Sequence, residues 1–139
     1  MTIDELKDII KDIALDDVEL KSFYIGNTWD HSAGKEDLYP CLWLEMPILT
    51  SYQISGKMYK THNFAVSILE FPKMDDTESE IINISKCEVY MDKFLQYMKS
   101  NGLNPFPSGL SIKSVNADNA CGVRVDLAIT TPRECLDLS

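Results

Sequence analysis

Three short groups of residues carry side chains that enzymes use for chemistry. The first is the adjacent pair Asp30 and His31, which follows Trp29 in the segment "GNTWDHSAGKED". A catalytic dyad needs an acid that orients the base and a nucleophile within hydrogen-bond reach. Neighbouring residues rarely point their side chains at each other in that way, so we interpret the pair as part of a solvated loop.

The second group is His62, with Glu45 and Glu70 on strand-like segments that lie near it if the strands pair. One histidine and two carboxylates are a known ligand set for zinc. No spacing typical of metal ligands supports a site, however, and neighbouring strands commonly carry exposed polar pairs. The sequence therefore predicts no metal site here.

The third group is the segment "NADNACG" at residues 116–122. Asn, Asp and Gly tolerate left-handed turns, so a hairpin connection explains them, and a calcium loop needs a longer series of ligands. Glu45, inside "DLYPCLWLEMP", alternates with Cys41 and Trp43, which predicts an outer or interface-facing strand position. We expect no catalytic residue, no cofactor, no metal and no small-molecule substrate.

The bulk composition excludes several classes of protein. The chain has 139 residues and a formal net charge of −9, with its Lys and Arg residues scattered singly, which argues against a surface that binds nucleic-acid phosphates tightly. No apolar run is long enough to cross a membrane, and the acidic N-terminus does not resemble a signal peptide. The four cysteines are far apart and are interpreted as reduced, small apolar residues.

Periodicity predicts two helices and five strands in a chain of this length. The first helix begins at a capping-box pattern of Thr2 and Glu5 and runs to Ala14, and the second ends at Ser100, before Asn101 and Gly102. The predicted strands are 18–25, 40–46, 57–71, 110–115 and 122–130. Pro47 is expected to end the second strand, and "NPFPSG" at residues 104–109 to be a connector. The third strand is long enough for a projecting hairpin arm, or else contains a bulge or bend.

The element order α-β-β-β-α-β-β predicts an α+β fold. We expect a mostly antiparallel sheet with both helices packed on one of its faces. Residues 1–131 are predicted to form a single domain and residues 132–139 a loose C-terminal tail.

The second helix carries more apolar residues than one buried face needs. Opposite its inward residues Ile84 and Met91 lies a second apolar set, which is our candidate oligomer interface. That set consists of Ile82, Val89, Tyr90 and Tyr97. Either a loop or the tail covers it, or another subunit does, since tyrosine is enriched at protein interfaces.

With these elements placed, the chain resembles the small neck and tail-terminator proteins of tailed bacteriophages. The matching pieces are "TIDELKDIIKDIA", "YPCLWLEMP", "KMYKTHNFAVSILEF", "SEIINISKCEVYMDKFLQYMKS" and "CGVRVDLAITTP", in that order. The resemblance implies a non-enzymatic virion protein, made in the host cytoplasm, that forms a homomeric ring at the head–tail junction or the tail terminus. It also implies portal, connector or tail-tube partners, and DNA that passes through without specific binding.

Two other functions stay open on the residues alone. One alternative is a small cytosolic enzyme whose site is not recognised. The other is a host-directed binding protein. An enzyme is expected to have a deep polar pocket in its monomer, whereas a ring subunit has broad lateral contact surfaces.

Overall fold

The computed structural model describes residues 1–27, 38–53, 58–71, 77–112 and 120–132. The predicted loop around Asp30 and His31, most of the "NADNACG" segment and the predicted tail beyond Pro132 lie outside these ranges. The described elements are two α-helices, one short π-helix and five strands.

Helix α1 spans Ile3–Asp12, and the Thr2 hydroxyl caps it by accepting a hydrogen bond from the Glu5 N–H at 3.2 Å. A π-helical turn, Ile13–Asp17, continues it. Glu19 then takes a left-handed backbone conformation (φ 64°) that redirects the chain. The predicted strand start at residue 18 is therefore wrong: Val18 and Leu20 are buried in a turn, and the strand begins at Ser22.

The five strands form one sheet in the order β1-β2-β3-β5-β4. Only β1 pairs with its neighbour in parallel, so the predicted, mostly antiparallel α+β sheet is confirmed. The strands are β1 Ser22–Asn27, β2 Cys41–Tyr52, β3 Tyr59–Glu70, β4 Phe106–Ile112 and β5 Cys121–Pro132. Strand β4 begins inside the predicted connector, because its pairing with β5 starts at Phe106 opposite Ala128.

Pro47 does not end the second strand, which is a correction to the sequence prediction. Strand β2 continues through it to Tyr52, and the pairing with β3 shifts register between Glu45 and Leu49. A proline cannot donate a hydrogen bond to the ladder, and a bulge is one of the few places where a sheet accepts it. The bulge thus accommodates Pro47 without ending strand β2.

Strand β3 has a partner on both sides along its length. Strand β2 pairs with it up to Lys60, and β5 accompanies it from Glu70 to Tyr59. The register shift lies in β2, between Glu45 and Leu49, whereas the pairing of β3 with β5 is continuous, so the bulge expected in the long third strand is not found there. In the described residues the β2–β3 hairpin does not extend beyond β5.

Helix α2 spans Thr77–Ser100 and ends as predicted. The N–H of Leu103 donates to the Met98 carbonyl at 3.1 Å and that of Gly102 to the Lys99 carbonyl at 3.0 Å. These two bonds form a Schellman motif, which needs a left-handed residue, here Gly102 at φ 80°.

Both helices pack on one face of the sheet, which we call the helix-covered face. Its core joins Leu6 and Ile10 of α1, Phe94 of α2, and Val66 and Val125 of the central strands, all of them buried. The opposite side is the helix-free face, since neither described helix lies on it. It has its own small buried cluster of Tyr39, Cys41, Leu69 and Ala120.

Candidate functional site

The candidate site is the solvent side of α2, and the buried side of the same helix fixes its direction. The inward residues are Asn83, Ile84, Cys87, Met91, Phe94 and Met98. They pack over the central strands β3 and β5. Because this side faces the sheet, the opposite side of α2 points directly away from it.

Three of the four predicted interface residues lie on that solvent side. Ile82 and Val89 have 52% and 53% of their surface exposed, and Tyr97 has 39%. Seven residues make almost two helical turns, so Ile82 and Val89 stand in line about 10.5 Å apart. We call Ile82 and Val89 the outer stripe; Tyr97 lies about 80° around the helix from Val89, at the flank of the stripe. Together the three form an apolar surface on a helix whose inner side is already fully packed.

Tyr90 stands in line with Tyr97, seven residues before it, but is more buried. It is half-buried and packs against the main core cluster. Burial raises the pKa of its phenol. It therefore stands at the edge of the buried side of α2. Ile81, which is 57% exposed, lies about 100° around the helix from Ile82 and is not part of the outer stripe.

Lysines border the outer stripe on one side. Lys86 and Lys93 each follow a stripe residue, Ile82 or Val89, by four positions and so lie next to it on the helix surface. Both are exposed, and neither forms an ion pair with a described residue. Glu78 precedes Ile82 by four positions and Asp92 follows Val89 by three, and both are exposed, so the site is apolar in its centre and bordered by charges of both signs.

A shallow groove adjoins the end of the stripe. It has a volume of about 370 Å³ and is lined by Leu95, Gln96, Lys99, Asn104 and Pro105. Gln96 follows Val89 by seven residues, so the groove continues the line of the stripe towards the C-terminal end of α2. Its shape adds contact surface to the outer side of the helix.

The carboxylate of Glu45 belongs to a structural network on the helix-free face. It is 3% exposed, accepts a hydrogen bond from the Ser67 hydroxyl at 3.0 Å and one from Arg124 Nε at 2.8 Å. Arg124 also contacts the exposed Asp126 at 3.1 Å. Glu45 thus has a structural role, but the expected outer or interface-facing position is wrong, since its carboxylate is buried and paired.

The three residues weighed as a metal site are not brought together. The continuous pairing of β3 with β5 places His62 on the helix-covered face, whereas Glu45 lies opposite Ala65 on the helix-free face. Glu70 is eight residues from His62 along β3, which is about 26 Å at 3.3 Å per residue. In the described ranges no group of three or more His, Cys, Asp or Glu side chains is placed to hold a metal ion.

Three cysteines are described, and all are buried free thiols: Cys41, Cys87 and Cys121. Their burial agrees with the interpretation of these three as small apolar residues, and Cys135 lies outside the described residues. Burial raises the pKa of the Cys87 thiol. Burial also raises the pKa of the Cys121 thiol, and a hydrogen bond with Asn83 partly offsets that increase. A buried thiol with a raised pKa carries little of the nucleophilic thiolate.

No protein-family model matches the chain, and no curated protein matches it. Neither described helix has the length and apolar content needed to cross a bilayer.

Proposed function

We propose that this protein is a non-enzymatic structural subunit that forms a homomeric ring at the head–tail junction or tail terminus of a tailed bacteriophage. The observation that carries the proposal is the two-sided α2. Its inner side packs on the sheet, and its outer stripe leaves Ile82 and Val89 half-exposed in line. A helix of a monomer needs only one apolar side.

The element order supports the proposal. Helix, three strands, helix and two strands is the order of the small phage neck and tail-terminator proteins that the sequence resembles. Fold alone does not determine function, so the exposed apolar surface bears more weight than the order of the elements.

The charge of the chain fits a channel through which DNA passes. The chain has 22 acidic and 13 basic residues, and the resulting negative charge repels the phosphates of DNA. A ring around moving DNA benefits from weak contact with it. Portal, connector or tail-tube proteins are the partners that such a ring meets along its axis.

The test is imaging of the purified protein by negative-stain electron microscopy, together with detection of the protein in purified virions by mass spectrometry. We expect closed rings of uniform diameter, and the same chain in the neck or tail. Wild-type protein that stays monomeric at high concentration and never appears in virions contradicts the proposal.

A variant pair shows whether the outer stripe makes the ring contact. Ile82→Asp combined with Val89→Asp is expected to give folded monomers, since burying unpaired carboxylates in an interface costs several kcal/mol. Ile81→Asp is the matched control, because Ile81 is as exposed as its neighbour but is turned about 100° around the helix. The control variant is expected to assemble normally.

A further inference from the structure

The groove at the C-terminal end of α2 lies at the end of the sheet where strand β5 stops. Asn104 and Pro105 line one side of the groove, and strand β4 begins directly after them at Phe106. Phe106 pairs with Ala128 of β5, which then runs four residues farther, to Pro132. Along those four residues the one described strand beside β5 is β3. Strand β5 therefore leaves the sheet at the same end as the groove.

Residues 133–139 follow Pro132 and are long enough to reach the groove. Pro132 is four residues from Ala128, which is about 13 Å along the strand. Because neighbouring strands are about 4.8 Å apart, Pro132 and Phe106 lie about 14 Å apart. Seven extended residues span about 23 Å. The segment can therefore turn back and lie along the groove.

Four other segments lie outside the described ranges: residues 28–37, 54–57, 72–76 and 113–119. Each is held at both of its ends by described residues. The first begins and ends at the β1–β2 edge of the sheet, far from β4, and the last two adjoin the opposite end of β5, at Cys121. The second is a short hairpin connection whose ends are tied by a hydrogen bond from the Gln53 N–H to the Tyr59 carbonyl at 2.9 Å. Of the five segments, residues 133–139 start nearest the groove.

The apolar side chains of this segment match the walls of the groove. The segment reads RECLDLS, and alternate residues of an extended chain share one side, so Leu136 and Leu138 face together. Leu95 and Pro105, both half-buried, supply apolar surface in the groove. Its volume of about 370 Å³ is within the range of roughly 300 to 1,000 Å³ found for pockets that hold small ligands. The groove therefore has room for these two leucine side chains.

The charges also match. Lys99 lines the groove, is exposed and forms no ion pair with a described residue. Lys93 and Asp92 lie three and four positions before Gln96 at the border of the groove, and their opposite charges cancel. The groove thus keeps one positive charge, and Glu134 stands on the same side of an extended segment as the two leucines.

We infer that residues 133–139 fold back over the C-terminal end of α2 in the same chain and occupy the groove. The two leucines pack against its apolar walls, and Glu134 lies beside Lys99. Tethering favours this occupant over a free partner, because a short linked segment meets its site at an effective concentration on the order of millimolar. Val89, the nearer residue of the outer stripe, lies about 10.5 Å from Gln96 along the helix, so the stripe stays open. The contact lies within one chain and does not depend on the proposed ring.

Cross-linking through Cys135 tests the inference in the full chain. Gln96→Cys places a thiol in the groove, and Glu78→Cys places one at a second exposed position of α2, about 27 Å before it. The three described cysteines are buried, so a short bis-maleimide is expected to join Cys135 to the introduced thiol. We expect this link in the Gln96→Cys variant, at the single-chain mass of 15.8 kDa under denaturing conditions, and not in the Glu78→Cys variant. Peptide mapping by mass spectrometry identifies the joined residues.

A second comparison tests the two leucines. Adding Leu136→Ser and Leu138→Ser to Gln96→Cys is expected to lower the yield of the link several-fold. Asp137→Ser is the matched control, because residue 137 lies on the other side of an extended segment, and it is expected to leave the yield unchanged. Circular dichroism of each variant verifies that it is folded.

Three results would overturn the inference. The first is an equal yield from Gln96→Cys and Glu78→Cys, and the second is a yield that does not respond to the loss of the leucines. The third is a link that joins two chains at twice the mass, which would place the segment on a second copy. Each of these results leaves the ring proposal standing, since that proposal is tested by the mass of the unmodified protein.

Discussion

The two faces of the sheet treat buried polar groups differently. On the helix-free face, Glu45 and Ser67 are buried but hydrogen-bonded to each other, and Arg124 completes the set. On the helix-covered face, His62 is 1% exposed and its Nδ1 has no hydrogen-bond partner in the described residues. A buried polar group is stable when it is paired and costly when it is not. We therefore expect the helix-free face to lose stability when Glu45 loses its cationic partner, and the helix-covered face to lose stability when His62 gains a charge.

The largest expected effect comes from breaking the pair on the helix-free face. Arg124→Ala leaves the Glu45 carboxylate buried without its cation, and we expect a loss of about 3 kcal/mol in the free energy of unfolding. Asp126→Ala is the matched control. It removes an exposed partner of the same arginine and should cost at most about 1 kcal/mol.

Urea unfolding of both variants measures this difference. Equal losses for Arg124→Ala and Asp126→Ala would show that Glu45 does not depend on its pairing. Adding Glu45→Gln to Arg124→Ala should recover part of the loss, because the uncompensated charge is then removed.

A second prediction concerns the packing between β3 and β5 on the same face. A Cβ atom added at Gly122 would collide with the Ile68 carbonyl oxygen. Gly122→Ala is expected to cost about 2 to 3 kcal/mol, since the backbone must shift to accept it. Gly102→Ala meets no atom within 4 Å and costs only the strain of its positive φ, about 1 kcal/mol. If thermal unfolding ranks the two variants the other way, the close approach of the strands is wrong.

The smallest expected effect tests the helix-covered face. Burial is the main cause that lowers the pKa of His62, with smaller contributions from Lys60 and the N-terminal amine. Because the unfolded chain binds a proton at His62 more readily than the folded protein, stability is expected to fall as pH drops below about 6.5. The slope from this residue is at most about 1.4 kcal/mol per pH unit.

Unfolding midpoints measured between pH 7 and 5.5 check this prediction. His62→Phe, which fills a similar volume without a titrating group, is expected to remove the slope. A wild-type slope that persists unchanged in His62→Phe would assign the pH dependence to other groups.

Much of this fold is predictable from local patterns. The cap at Thr2, the stop at Gly102 and the alternation in β5 each depend on residues close in sequence, and all three appear in the structure. The course of β2 through Pro47 was not predictable, because a proline in a strand is accepted only where the partner strand allows a bulge. Whether the pairing accepts a bulge depends on the tertiary structure and not on the local sequence.

The candidate site also has some features that the local sequence predicts and others that it does not. Helical periodicity was enough to select Ile82 and Val89, which lie directly opposite the buried side, but it does not separate Tyr97 from Tyr90, seven residues before it. It misplaced Tyr90, which lies at the border where a small rotation of the helix decides burial. The pairing of Glu45 with Arg124 joins residues 79 positions apart, and no local pattern reveals it.

The most direct test of the central claim is the mass of the wild-type protein in solution, measured by light scattering across a range of concentrations. A ring predicts one discrete multiple of the 15.8 kDa chain that stays constant once formed, because a closed ring has no free end to extend. A mass that remains at 15.8 kDa at the highest concentration would contradict the account, as would one that grows without limit.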